Sequence, residues 1–157
     1  MHYRYHDSPL GPLLLAGGRA GLRLLHMDAS PAWSTAPDWQ PDRGELDEVC
    51  RQLDEYFAGR RQRFELPLAP TGSAFQRLVW AALLEIPYGH TWSYAELARH
   101  IGQPSAVRAV GSANGANPIA VIIPCHRVIG SNGTLTGYAG GMERKRQLLQ
   151  LEGAWLL

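Results

Sequence analysis

In the second half of the chain an apolar run ends in Ile122-Ile123-Pro124-Cys125-His126-Arg127-Val128, with Asn117-Pro118 before it and Gly130 after it. The thiol stands where the sequence first turns polar. A thiolate is a strong nucleophile, and an adjacent histidine or cation lowers its pKa. His126 and Arg127 supply one of each within two residues. The same residue types also suit an inert core thiol, because free cysteine is among the most buried residues. Pro124 restricts Ile123 to an extended conformation and removes a ladder donor. A buried strand or extended segment over 119–123 is therefore expected, stopping at Pro124 and delivering Cys125 to the edge of a core. Neighbours on an extended chain point to opposite faces. His126 then serves Cys125 only if the backbone turns there or a water relays the proton.

The elements that must hold this stretch follow from periodicity. Residues 1–28 read as strands and tight turns: Tyr3 and Tyr5 alternate, Ser8 to Pro12 form a turn, and Leu13-Leu14-Leu15-Ala16 with Leu22-Arg23-Leu24-Leu25 suggest a hairpin. Residues 29–43, with Pro31, Pro37 and Pro41, read as a loop. A helix over 45–58 carries Leu46, Val49, Leu53 and Phe57 on one stripe, with Cys50 beside it as a core residue. Residues 64–66 suggest another strand, and 67–72 a linker. Ser73 with Gln76, then Ser93 with Glu96, are capping boxes opening two helices. A third helix spans 106 to about 113, and a last one begins at Met142, carries Arg144-Lys145-Arg146 as a solvated face and ends at Glu152-Gly153.

Two short helices joined by a Gly-containing turn, over about 93–116, fit a helix-turn-helix as well as an ordinary helical hairpin. The second of them is unusually slim, with Ala106, Ala109, Gly111, Ser112 and Ala113, and Arg108 is its one cation. Small residues permit close approach to a phosphodiester backbone, and a lone arginine between them can enter a groove or fill a gap in a base stack. A major-groove reader needs more polar side chains for base edges. The 130–141 loop, with Tyr138 near its centre, is a candidate pocket wall.

Composition bounds the rest. A chain of 157 residues, 45% hydrophobic and 18% charged, fits a soluble globular protein of one or two domains. No apolar run approaches the roughly 18 residues a membrane span needs, and the first residues lack an apolar signal core. Two cysteines are too few for a disulfide framework, and a reducing cytoplasm suits a free thiol. Net charge is +1; residues 1–70 hold 8 Lys/Arg and 10 Asp/Glu, and residues 71–157 hold 7 and 4. The second half is thus mildly cationic, which favours an anionic partner without establishing one.

Pro124-Cys125-His126-Arg127-Val128, with Asn117-Pro118 upstream and Gly137-Tyr138 downstream, resembles the O6-alkylguanine-DNA alkyltransferases. The resemblance implies an α/β (α+β) fold: an N-terminal RNase H-like α/β domain over 1–68 and a C-terminal helical domain with a helix-turn-helix over 69–157. It implies single-turnover direct repair, in which Cys125 takes the alkyl group from O6-alkylguanine, and from O4-alkylthymine, in a flipped-out nucleotide. His126 then acts through a bound water, Glu152 orients it, and Asn117 is the hinge joining the helix-turn-helix to the thiol. Arg108 fills the space left by the base, Tyr94 rotates the 3′ phosphate and lies near the base, and Ser93, Ala106, Ala109 and Gly111 belong to the DNA-binding surface. Tyr138, Ala139, Val128 and Tyr94 line the guanine pocket.

Ala139 stands where some members carry a serine, and His90 where a glutamate often follows Tyr-Gly. A zinc set of some relatives cannot be assembled, since Cys50 is the one other cysteine. No metal and no cofactor is expected. The implied partner is the minor groove of double-stranded DNA, bound by a monomer with no obligate protein partner and no membrane. The alternatives are a non-enzymatic lesion-binding protein that flips bases without a reactive thiol, and a cysteine hydrolase.

Overall fold

The computed structural model describes residues 1–27, 38–135, 137–138 and 141–155. The chain divides into two compact units, Met1–Thr71 and Gly72–Leu157.

The first unit is a four-stranded sheet with one helix. Strands β1 (His2–His6), β2 (Leu13–Gly18), β3 (Gly21–His26) and β4 (Gln40–Pro41) lie in the order β3-β2-β1-β4. The hairpin read from the leucine pattern is present, with Leu15 opposite Leu25. Leu13, Leu14, Leu15 and Ala16 are all buried, so β2 is covered on both faces as the central member of an apolar layer. Two expectations need correction here. The described part of the 29–43 loop contains β4, which pairs parallel with β1 at the sheet edge, where Pro41 removes no interior ladder bond. The remainder of that loop lies outside the described residues. The 64–66 strand is absent; a single bridge joins Leu22 to Leu68 instead.

Helix α1 (Asp47–Phe57) buries Val49, Cys50, Leu53 and Tyr56, following Leu46 at helical spacing. Tyr56 is fully buried and Phe57 only half-buried, so the stripe runs one residue earlier at its end than expected. Cys50 is a core residue, and burial raises its thiol pKa.

The second unit is helical. Both capping boxes form as read: Ser73 opens α2 (Ala74–Leu83) and Ser93 opens α3 (Tyr94–His100), each with side chain and backbone bonded reciprocally to the residue three positions on. Gly102, at φ 75°, turns the chain after α3 toward α4 (Val107–Gly115). The indole nitrogen of buried Trp80 on α2 donates to the carbonyl of Ala113 on α4 at 2.8 Å, fixing the rotation of α4 about its axis. Short strands β5 (Trp92–Ser93) and β6 (Val128–Ile129) pair in parallel, and α5 (Met142–Leu151) closes the unit. Among the described residues no helix is long and apolar enough to cross a membrane.

The expected strand over 119–123 does not form. These residues fold into stacked turns, and Ile119, Val121, Ile122 and Ile123 are all buried. Ile122 N donates to Ala120 O at 2.8 Å across Val121, whose φ is 70°, and Ile123 N donates to Ile119 O at 3.0 Å. That is a γ-turn of positive φ, a strained conformation for a β-branched residue. An inverse γ-turn follows at Pro124, with Cys125 N donating to Ile123 O at 2.8 Å. An apolar run in a strand and the same run in buried turns have one composition, so periodicity could not separate them.

Candidate active site

The cysteine begins a short 3-10 turn, Cys125–Arg127, so the backbone does turn at the Cys-His pair. Asn117 shapes the approach. Its Nδ2 donates to Ile123 O at 2.8 Å and to Ile119 O at 3.4 Å, and stands 3.1 Å from the Cys125 sulfur. Its Oδ1 accepts from Ile119 N at 3.0 Å. One side-chain amide thus satisfies the carbonyls that the γ-turn at Val121 brings together, and then touches the thiol.

Cys125 is 6% exposed. Burial raises its thiol pKa, opposed by the Asn117 hydrogen bond, by the charge of Lys145 and by a hydrogen bond with the Tyr138 hydroxyl. Burial likewise pushes the Tyr138 phenol well up, so the hydroxyl keeps its proton and can donate it.

His126 is fully buried, and its Nε2 lies 2.8 Å from Glu152 Oε2. Burial lowers the imidazole pKa, with Glu152 opposing, so the ring is neutral near pH 7. Its Nε2 must then carry the proton given to the carboxylate, which leaves Nδ1 as an acceptor. Glu152 is the C-cap residue of α5. Arg127 grips it with two bonds, Nε to Oε1 at 2.8 Å and Nη2 to Oε2 at 3.0 Å, and its Nη1 donates to Ile86 O at 2.6 Å. Burial works to raise the Glu152 carboxyl, but the hydrogen bonds and charges of His126 and Arg127 outweigh it and hold it at about 2. The carboxylate stays ionised and fixes the imidazole tautomer.

Lys145 corrects the reading of the basic run as a solvated face. Arg144, Lys145 and Arg146 are consecutive, and Lys145 is fully buried, its Nζ donating to Val128 O at 2.6 Å. Burial lowers its pKa to about 8, with the Cys125 charge opposing. A sequence signal existed: Lys145 lies three and four residues before Leu148 and Leu149, the other buried residues of α5.

A cleft of about 700 Å³ is lined by Tyr94, Val107, Arg108, Gly111, Gly130, Ser131 and Gly137 among others, the last of these the neighbour of Tyr138 in the chain. A Cβ on Gly111 would lie 3.8 Å from the Tyr94 ring, so the small residues of α4 leave this face open. Arg108 and Ala109 are exposed on α4. Of the residues predicted from sequence, Cys125, His126, Glu152, Asn117 and Tyr138 are gathered at the thiol, and Arg108, Tyr94 and Gly111 at the cleft. Ser93 and Ala106 are the N-cap residues of α3 and α4 and are not among the cleft-lining residues. Val128 is buried, offering its carbonyl to Lys145. Ala139 lies outside the described residues. Among the described residues no cluster of three or more metal-ligating side chains occurs.

Known proteins resemble this chain along its whole length. Residues 1–70 match the family model described as 6-O-methylguanine DNA methyltransferase, ribonuclease-like domain, and residues 74–154 match the corresponding DNA binding domain. The methylated-DNA–protein-cysteine methyltransferase of Methanosarcina acetivorans is 51% identical over 98% of this chain and 99% of its own. That of Mycobacterium bovis is 53% identical over 97% of this chain and 92% of its own. The crystal structure of Mycobacterium tuberculosis OGT in complex with DNA superposes with a TM-score of 0.91, at 53% identity, covering 98% of this chain and 93% of that one. With both domain models matched and relatives about half identical over nearly the whole chain, the chain belongs to the 6-O-methylguanine DNA methyltransferase family.

Proposed function

We infer that this protein repairs DNA by direct reversal, moving the alkyl group of O6-alkylguanine onto Cys125 in a single irreversible event. It is a methylated-DNA–protein-cysteine S-methyltransferase. One observation carries the assignment of the acceptor: the Cys125 sulfur receives a hydrogen bond from Asn117 and interacts with the Tyr138 hydroxyl, and Gly137 next to that tyrosine lines a cleft walled by α4. A lesion-binding protein without alkyl transfer has no use for a thiol held in this way.

The O6 carbon of a modified guanine is out of reach inside a stacked duplex, so the nucleotide must swing out, at a cost of a few kcal/mol. The slim face of α4 approaches the minor groove, and Arg108 enters the stack where the base has left. Tyr94, on the cleft wall, contacts the turned-out nucleotide and its 3′ phosphate. Gly137 borders the cleft and Tyr138 touches the sulfur, so the base reaches the thiol past the Tyr138 side chain.

The thiol gives its proton to His126 through a water, and Glu152 with Arg127 steadies the imidazolium that results. The sulfur attacks the alkyl carbon; an S–C bond forms as the C–O6 bond breaks, and the electron pair goes to the base. Guanine takes up one proton and leaves neutral, balancing the proton that the thiol released. A thioether has neither an acidic proton nor a good leaving group, so the protein is spent. The acting unit is a monomer on double-stranded DNA, in a reducing compartment that keeps Cys125 free.

Product formed with a large excess of methylguanine oligonucleotide tests this reading. Product equal to the protein added is expected. Many turnovers would replace the transferase with a hydrolase.

A further inference from the structure

Helix α4 has two working faces. Val107, Arg108, Gly111 and Gly115 line the cleft, while Val110, Ala113 and Asn114 are buried on the other side. Asn114 is 3% exposed, and its Nδ2 donates to the carbonyl of Cys125 across a long 3.4 Å. Since a carbonyl only accepts, the Asn114 oxygen is the atom turned away from it. That oxygen has no hydrogen-bond partner among the described residues, and neither has His126 Nδ1. Both side chains meet one peptide, Cys125–His126: Asn114 bonds its carbonyl and His126 is its second residue. Buried polar atoms are almost always satisfied, by ordered water where protein groups do not reach.

Polarity narrows what can satisfy them. His126 Nε2 faces a carboxylate and carries the ring proton, so Nδ1 accepts. Asn114 Oδ1 also accepts. A water, with two O–H groups, donates to both and is then left with lone pairs only. Those lone pairs can receive the proton of a thiol.

We propose that Asn114 is a positioning residue for the proton relay: its Oδ1 and His126 Nδ1 together hold one water whose lone pairs face the Cys125 thiol. The S–H bond breaks as an O–H bond forms on the water, and the water's own O–H toward His126 breaks as an N–H forms at Nδ1. The second O–H stays on Asn114 Oδ1 throughout and prevents the water from rotating. The same helix that meets DNA thus orients the relay through its opposite face. The proposal rests on the reading of Cys125 as the alkyl acceptor.

Single-turnover transfer from free O6-benzylguanine, which needs no DNA, provides the test in wild type, Asn114→Leu, His126→Ala and the double variant. Each single change is expected to slow transfer about tenfold or more, and the double variant to be no slower than His126→Ala alone. Multiplying losses, or an unchanged rate in Asn114→Leu, overturns the proposal. Asn114→Ser retains an acceptor oxygen and is expected to be faster than Asn114→Leu; a Ser variant as slow as the Leu variant also overturns it. Should Asn114→Leu fail to fold, Asn114→Ser and its combination with His126→Ala complete the same cycle. If wild type gains no benzyl group at all, the alkyl-acceptor reading falls, and the role of Asn114 falls with it.

Discussion

The side-chain amide of Asn117 lies 3.1 Å from the sulfur of Cys125 while bonding the carbonyls of Ile119 and Ile123. The group that donates to the thiol is therefore the same group that holds the strained turn leading to it. Thiol activation and local folding share one residue.

Asn117→Ala should show both effects. Each of these buried carbonyls keeps its backbone donor but loses a second hydrogen bond, which should cost about 1–3 kcal/mol of stability in all, read from denaturant unfolding. Iodoacetamide should also label the folded variant more slowly at neutral pH, because the thiolate has lost a donor. Normal stability combined with slow labelling would separate the two roles and contradict their sharing.

Lys145 is a buried cation interacting with Cys125. Lys145→Met removes positive charge near the thiolate and should move the midpoint of the thiol-labelling pH profile upward. An unmoved midpoint would mean that the Lys145 charge does not act on the thiolate.

The lowered pKa of Glu152 sets an acid limit on stability. Its folded value of about 2 lies below the unfolded value of about 4.3. The stabilisation is complete above pH 4.3 and is lost as pH falls through 2, amounting to about 3 kcal/mol. Glu152→Gln should be less stable at neutral pH and should lack this share of the acid dependence when unfolding is followed from pH 6 to 2. An identical pH slope in both proteins would remove Glu152 as its source.

Arg108 is exposed on the cleft face of α4, away from the thiol's hydrogen bonds. Arg108→Ala should slow repair of duplex DNA by about tenfold or more, roughly 1.4 kcal/mol, while its reaction with free O6-benzylguanine stays at the wild-type rate. Equal losses on both substrates would deny the residue a part in holding the base out.

Much of this site could be read along the chain because its chemistry is clustered there. Cys125 and His126 are adjacent, Asn117 precedes a proline eight residues upstream of the thiol, and both capping boxes are local patterns. What escaped depends on tertiary context. The positive φ of Val121 is imposed by the Asn117 bonds and by burial, and propensity assigns a β-branched residue to a strand. Lys145 escaped because charge invites a surface assignment, although its spacing to Leu148 and Leu149 puts it on the buried face of α5. Asn114 shares that pattern with Val110 and Ala113 on α4. For Lys145 and Asn114 helical periodicity held the position and residue type concealed it.

The central claim concerns one sulfur atom, and intact mass spectrometry tests it most directly. After incubation with an O6-methylguanine duplex, the protein should gain the mass of a single methyl group, mapped by peptide fragmentation to Cys125, and Cys125→Ser should gain none. An unchanged wild-type mass, or a methyl group found on Cys50, would contradict the account.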